Sequence, residues 1–188
     1  MKLTLICLLL FSLLGANARA DGFGLHASTN LGAGSLGNDS STLQSRSMYG
    51  LNLEAMPGYY VSKNFLAGIL FDYGIFGQGA STESAGNALG GHEYSLGLGL
   101  AYQPGPWKLV FSYDLIGKYT VSSGSDFQFS HPSGFHLLAG YRVANHCYFD
   151  LEFSSINYRH EISDGVESDI SSDSVNHWNF AVGISVAY

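Results

Sequence analysis

The chain has 188 residues, with 15 acidic against 8 basic side chains and a formal net charge of −7. This acidic balance argues against a nucleic-acid partner, because binding phosphates requires clustered Lys and Arg. Charged residues make up only 12% of the chain, well below the roughly 25% of soluble domains, and this composition is unlike that of an ordinary soluble protein.

The first twenty residues have the features of a cleaved signal peptide. Lys2 supplies a positive start, residues 3–14 are almost entirely apolar, and Ala18 and Ala20 are small residues suited to signal-peptidase cleavage. The apolar run is shorter than the roughly 20 residues of a transmembrane helix. We therefore predict a signal peptide over 1–20 and a single exported domain over 21–188, in which Cys147 has no partner for an internal disulfide.

After residue 20, apolar residues recur at every second position in eight segments. In chain order these are 23–31, 49–55, 65–73, 94–102, 107–115, 135–143, 149–153 and 178–188. A period of two places each apolar set on one face of a β-strand. Strands of this length are typical of those that cross a membrane at a tilt, for which about 9–11 residues suffice.

The charged residues within these segments occupy the opposite phase. They are Glu54, Asp72, Glu93, Lys108, Asp114, Arg142, Asp150 and Glu152. An Arg or Lys facing lipid near the midplane costs about 2–4 kcal/mol, and acids cost less. A soluble β-sandwich also alternates, but glycine and alanine share the polar phase here, as a narrow lumen would favour. The pattern predicts an all-β fold, an eight-stranded antiparallel up-and-down transmembrane β-barrel.

The connections between segments alternate in length. Short turns are predicted at 58–64, 103–106 and 144–146, and long polar loops at 33–47, 75–92, 117–133 and 157–175. In barrels of this kind the short turns face the periplasm and the long loops face outward. Aromatic residues near the segment ends predict interfacial girdles that include Tyr102, Trp107, Tyr141, Trp178 and Tyr188.

Two stretches carry a resemblance to a known family. One is the segment 57–68, and the other is the last strand, which ends in an aromatic residue. On these the chain resembles the small bacterial outer-membrane barrels of the OmpA/OmpX type. The resemblance implies an outer-membrane location, with lipid, lipopolysaccharide and the barrel-assembly machinery as partners, and no cofactor. It also implies an assembly signal formed by Phe180, Val182, Ile184, Val186 and Tyr188.

The inward-facing charges near the periplasmic ends of the strands form the first candidate site. We predict a polar network of Glu54, Lys108, Arg142, Asp150 and Glu152 in which the two basic residues meet the acids. Buried charges must be paired or hydrated, and an eight-stranded barrel is only just wide enough for its own side chains. This favours a filled lumen, and a narrow channel is the alternative.

Two groups of residues raise the alternative of a lipid A-modifying enzyme. His26 and Ser28 share one face of the first strand, as in lipid A deacylases, and a His–Ser pair can activate the hydroxyl as a nucleophile. The third predicted loop holds Asp126, Ser130, His131 and Ser133, a composition that an acyltransferase would also use. Polar loops also contain such residues simply to remain solvated. We expect these residues to form a solvated loop and not a catalytic site.

The fourth predicted loop is acidic, with Glu161, Asp164, Glu167, Asp169 and Asp173. Calcium prefers several carboxylate oxygens, but the order of these residues fits no EF-hand loop. We therefore expect a solvated acidic loop and predict no metal site. Taken together, the sequence favours a non-enzymatic outer-membrane barrel whose exposed loops contact an extracellular ligand or which maintains envelope integrity.

Overall fold

The computed structural model describes residues 22–37, 46–78, 89–122 and 126–188. It contains nine strands: β1 Phe23–Gly37, β2 Arg46–Ser62, β3 Phe65–Gln78, β4 Leu89–Tyr102, β5 Trp107–Ser122, β6 Asp126–Ala144, β7 Cys147–Ser163, β8 Val166–Asp169 and β9 Val175–Ala187. A short 3-10 helix, Ser171–Asp173, precedes β9. The predicted signal peptide lies outside the described residues. Among the described helices, none is long and apolar enough to cross a membrane.

Eight of these strands close into a ring. β1 to β7 pair in chain order, and β9 pairs with both β7 and β1, always antiparallel. The short β8 pairs only with the end of β7 and lies outside the ring. The predicted eight-stranded antiparallel barrel is therefore confirmed, with β8 as a small addition.

The phase of the alternation is also confirmed in the described strands. Most apolar residues of the outward phase are exposed, as for Leu31 (65%), Leu98 (58%) and Ile184 (66%), but Leu25 and Ala27 of β1 are only 6% exposed. Seven of the eight strand charges are at most 5% exposed, and Arg142 is the exception. An apolar band of this extent needs lipid to cover it.

Strands extend into all four of the predicted long loops. Residues 117–133 were expected to form a loop, but β5 continues to Ser122 and β6 begins at Asp126; likewise β7 extends to Ser163. The other two loops also shorten, because β1 reaches Gly37 and β3 reaches Gln78. The wall of the barrel thus extends past the stretch that a membrane requires.

A β-bulge in β5 interrupts the alternation of apolar and polar residues that the sequence shows over 107–115. The register shifts where Leu96 pairs with Ile116 and Gly97 pairs with Asp114, which leaves Leu115 as the extra residue. Leu115 and Ile116 are both exposed, and beyond them Tyr119 points inward and is fully buried. One extra residue inverts the phase of everything after it, so the outer half of β5 no longer matches the inner half.

The interior is layered along the barrel axis. Near the short turns, one side holds an apolar cluster of Met56, Leu66, Leu70, Ala101, Val110 and Leu138. Near the outer end lies a second cluster of Leu36, Met48, Phe76, Tyr119, Val121, Phe129, Ile156, Tyr158 and Val175. The buried polar residues occupy inward positions beside the first cluster and between the two clusters.

Candidate functional site

His136, at an inward position of β6, is the centre of the buried polar network. Its Nε2 lies 2.9 Å from Oδ2 of Asp114, and its Nδ1 lies 3.2 Å from Oε1 of Glu152 and 3.7 Å from Oε1 of Glu54. All four side chains are buried. Both ring nitrogens face carboxylates, the arrangement in which a protonated imidazole donates two hydrogen bonds. This residue therefore joins carboxylates from three strands.

Short polar side chains complete the hydrogen bonding of these carboxylates. Ser95 donates to Asp114 over 2.6 Å, and Ser28 donates to Glu54 over 2.8 Å. The Nδ2 of Asn30 donates to Glu152 over 2.5 Å. A carboxylate out of water is costly unless it is bonded in this way, so these small side chains are what allow the charges to be buried.

Lys108 forms a second part of the network, closer to the short turns. Its fully buried Nζ lies 3.1 Å from Oδ1 of Asp150 and donates to Ser185. The same nitrogen lies 3.5 Å from Nδ1 of His26 and 4.8 Å from the centre of the Tyr148 ring. The structure thus brings Lys108 to one of the acids predicted for it.

Arg142 does not join the acids, in contrast to the expectation from sequence. It is exposed, and its guanidinium donates to the carbonyl of Gly105 over 2.8 Å and to the hydroxyl of Tyr148 over 3.1 Å. Its position has the inward phase, but it is next to a register shift at the end of β6. There the barrel opens to solvent, and a guanidinium can remain hydrated.

Glu93 forms a third part of the network, below the outer apolar cluster. Its Oε2 lies 3.1 Å from Nδ1 of His177, and Tyr158 donates its hydroxyl to Oε1. Neither His177 nor His136 was among the residues predicted for the network. Their inward phase on β9 and β6 was the one signal that could have identified them.

Carboxylates outnumber cations in the described part of the interior. Six buried carboxylates face one buried lysine and three buried histidines; the acids are Glu54, Asp72, Glu93, Asp114, Asp150 and Glu152. Oδ1 of Asp72 has no hydrogen-bond partner. This part of the interior is rich in acid, and like charges buried this close together repel one another.

Aromatic rings fill the outer end of the lumen. The rings of Phe76, Phe129 and Tyr158 lie 6.4, 6.4 and 6.3 Å from the ring of Tyr119, and Phe76 also contacts His177 edge-on at 5.1 Å. Tyr119, Phe129 and Tyr158 have no exposed surface. The polar network is therefore covered from the outside by a ring cluster.

The candidate His–Ser pair of β1 lies inside the lumen. The hydroxyl of Ser28 donates to Glu54, and Nδ1 of His26 faces the ammonium of Lys108. His26 is fully buried and Ser28 is 5% exposed. A serine nucleophile needs its hydroxyl bonded to the base, whereas this hydroxyl is bonded to a carboxylate.

The candidate residues of the third predicted loop lie on β6, where Ser130 and His131 meet the acidic β7–β8 hairpin. Oε1 of Glu167 accepts a hydrogen bond from Ser130 over 2.9 Å and lies 3.3 Å from Nδ1 of His131. The same Nδ1 is 3.3 Å from the Ser130 hydroxyl. In a catalytic triad the serine and the acid bind opposite nitrogens of the imidazole, so this geometry is not that of a triad. The side chains of Asp126 and Asp173 lie outside the described part.

The aromatic residues predicted for the girdles pair near the barrel ends. Trp107 packs edge-on against Tyr141 at 4.9 Å, and Tyr102 stacks on Phe65 at 4.5 Å. Tyr188 stacks on His146 at 4.8 Å. At the outer level, Trp178 is 43% exposed. Outward residues of the proposed assembly signal lie on β9, including Phe180, Val182 and Ile184, and remain exposed on the lipid face.

Solved structures are similar to this chain in fold, although no protein-family model and no curated protein sequence matches it. Neisserial surface protein A (NspA) matches with a TM-score of 0.54 and 16% identity, over 88% of this chain and 97% of that one. Ail, the attachment invasion locus protein of Yersinia pestis, in complex with the heparin analogue sucrose octasulfate, matches with a TM-score of 0.52 and 12% identity, over 89% and 99%. The fold is that of small outer-membrane β-barrels, and together with the lipid-facing band it places the chain in a bacterial outer membrane.

Proposed function

We propose that this chain is a non-enzymatic outer-membrane barrel with a closed lumen, whose outer rim makes contacts at the cell surface. The observation that carries the proposal is the layered interior, in which the acid-rich network lies beneath a cluster of aromatic rings. Such an interior ties the strands to one another and leaves the outer rim as the part that can meet a ligand.

The alternative of a narrow channel is disfavoured by the same layers. A solute would have to displace the rings of Tyr119 and Phe129 and then pass the ion pairs of His136. An eight-stranded barrel has an interior that side chains can just fill. The charged residues thus serve packing and hydrogen bonding inside the lumen.

The alternative of a lipid A-modifying enzyme is disfavoured by the two candidate pairs. Ser28 is buried and bonded to a carboxylate, and Ser130 competes with Glu167 for one nitrogen of His131. Lipid-modifying chemistry also requires the reacting groups to reach lipid, and His26 has no exposed surface.

The rim itself is acidic in its described part. The β7–β8 hairpin exposes Asp164, Glu167 and Asp169. A surface of this charge favours cationic partners, or divalent cations that bridge it to the phosphates of lipopolysaccharide. NspA and Ail, similar in fold, are named as a surface protein and as an attachment protein, which fits a role in surface contacts.

Two measurements test this proposal, one on the purified barrel and one on strains with and without the gene. Planar-bilayer recordings of the purified barrel should show no conductance, and lipid A acylation should be the same with and without the gene. Conductance that changes in His136→Ala would establish the channel. A change in acylation that His26→Ala or His131→Ala abolishes would establish the enzyme.

A further inference from the structure

Three metal-ligating side chains converge on the outer rim, at the junction of β6, β7 and β8. His131 follows Ser130 on β6, His160 lies opposite Ser130 in the register of β7, and Glu167 comes from β8. The ligand atoms of all three lie within 4.8 Å of one another. The cluster is partly or fully exposed, so an ion from solvent can reach it.

Two of the three separations within this cluster match those of a metal coordination sphere. Oε1 of Glu167 lies 3.3 Å from Nδ1 of His131 and 3.5 Å from Nδ1 of His160. Bonds of about 2.0–2.2 Å in a tetrahedral zinc site separate the ligand atoms by about 3.3–3.5 Å. The two imidazole rings lie with their centres 4.2 Å apart and are tilted by 39°. The Nδ1 atoms of both rings face the same carboxylate oxygen, Oε1 of Glu167.

The surrounding strands hold the three ligands in place. Ser130 donates to Oε1 of Glu167 over 2.9 Å, which orients the carboxylate. Four residue pairs of the β7–β8 ladder, among them His160 with Asp169, fix the hairpin that carries Glu167. The side chain of Asp169 is bound to the backbone nitrogen of Ser171 over 2.8 Å and also accepts its hydroxyl. The carboxylate of Asp169 is thus already bound within its own turn. Ser130 acts instead as a hydrogen-bonding neighbour that orients the ligand Glu167, as is common around metal sites.

We propose that His131, His160 and Glu167 form a binding site for one Zn²⁺ ion on the extracellular rim of the barrel. Two imidazoles and one carboxylate suit zinc and related first-row metals, whereas Ca²⁺ and Mg²⁺ prefer an all-oxygen set. Three protein ligands leave a fourth position for water or for a donor group of a surface ligand. The bound ion would fasten the end of β6 to the β7–β8 hairpin.

The test is a Zn²⁺ titration of the mature barrel in detergent, measured by isothermal calorimetry. The protein carries no polyhistidine tag. We expect one ion per barrel, and we expect His131→Ala, His160→Ala and Glu167→Gln each to weaken binding by roughly tenfold or more. Matched controls are His92→Ala, a half-buried histidine of β4, and Asp164→Asn, which removes one charge from the same hairpin. Both controls should bind Zn²⁺ as the unaltered chain does.

Heat-modifiable gel migration shows whether each variant is folded, so that a loss of binding is assigned to the ligand and not to misfolding. Absence of Zn²⁺ binding to the unaltered folded barrel would refute the site. So would folded ligand variants with unchanged affinity, or displacement of Zn²⁺ by equimolar Ca²⁺. The result is independent of the proposed surface function, because it reads the occupancy of the site alone.

Discussion

His136 and Asp114 face each other on neighbouring strands in the middle of the barrel, with Nε2 of the histidine 2.9 Å from Oδ2 of the aspartate. The second ring nitrogen of His136 reaches Glu152 and Glu54 on other strands. One imidazole therefore serves three carboxylates, and the described interior offers few other cations to replace it. The stability of the barrel should depend strongly on this residue.

Replacing His136 by leucine should destabilise the barrel. The change leaves three buried carboxylates without their shared partner, and breaking a buried ion pair costs about 3–5 kcal/mol. Urea unfolding of the barrel in lipid vesicles at neutral pH measures the change. His92→Leu provides the control, and equal midpoints for the two variants would contradict the assignment.

Replacing Lys108 by methionine should be harmful alone but much less so when Asp150 is also neutralised. Lys108→Met strands a buried carboxylate at a cost of about 3–5 kcal/mol, whereas removing both charges is often close to neutral. A double-mutant cycle with Asp150→Asn measures the coupling between them. Simple additivity of the two single changes would show that the 3.1 Å pair is not an energetic unit.

A charge placed on the outward face of β4 should report the lipid contact. Leu98 lies midway between Tyr94 and Tyr102 and is 58% exposed. Leu98→Arg should cost about 2–4 kcal/mol if this position is near the bilayer midplane. Val166→Arg, at an exposed position of β8 outside the ring, should have little effect. Equal effects of the two substitutions on unfolding would argue against a membrane-facing band.

Ser171 should control the ionisation of Asp169 on the rim. Hydrogen bonds from the Ser171 hydroxyl and backbone hold the pKa of Asp169 below its usual value. A depressed folded-state pKa stabilises the hairpin above the ordinary pKa of aspartate, and this stabilisation is lost as the pH falls through the lowered value. Ser171→Ala should therefore raise the pKa of Asp169, as followed by NMR titration of the labelled carboxyl. Ser168→Ala should leave it unchanged, and a Ser171→Ala titration that matches the unaltered chain would refute the assignment.

Much of the architecture is predictable from the chain because a strand has a local period of two. That period separates Leu98 from Gly97 and Leu151 from Asp150, and it assigns one of each pair to lipid and the other to the lumen. It also accounts for the inward phase of Glu54, Lys108 and Glu152. Lipid tolerates few charges, so the phase of a strand is decided by its own residues.

The contacts within the lumen and on the rim depend on the closed ring instead. Asn30 and Glu152 are separated by 122 positions in the chain, yet they are bonded to each other. The bulge at Leu115, the exposed end that keeps Arg142 hydrated, and the meeting of His131 with His160 and Glu167 all arise from how strands are registered and staggered around the barrel. Alternation determines which face of a strand a side chain occupies. Its neighbours across the lumen are determined only when the last strand pairs with the first, because the height of each side chain along the barrel axis depends on the register of every strand between them.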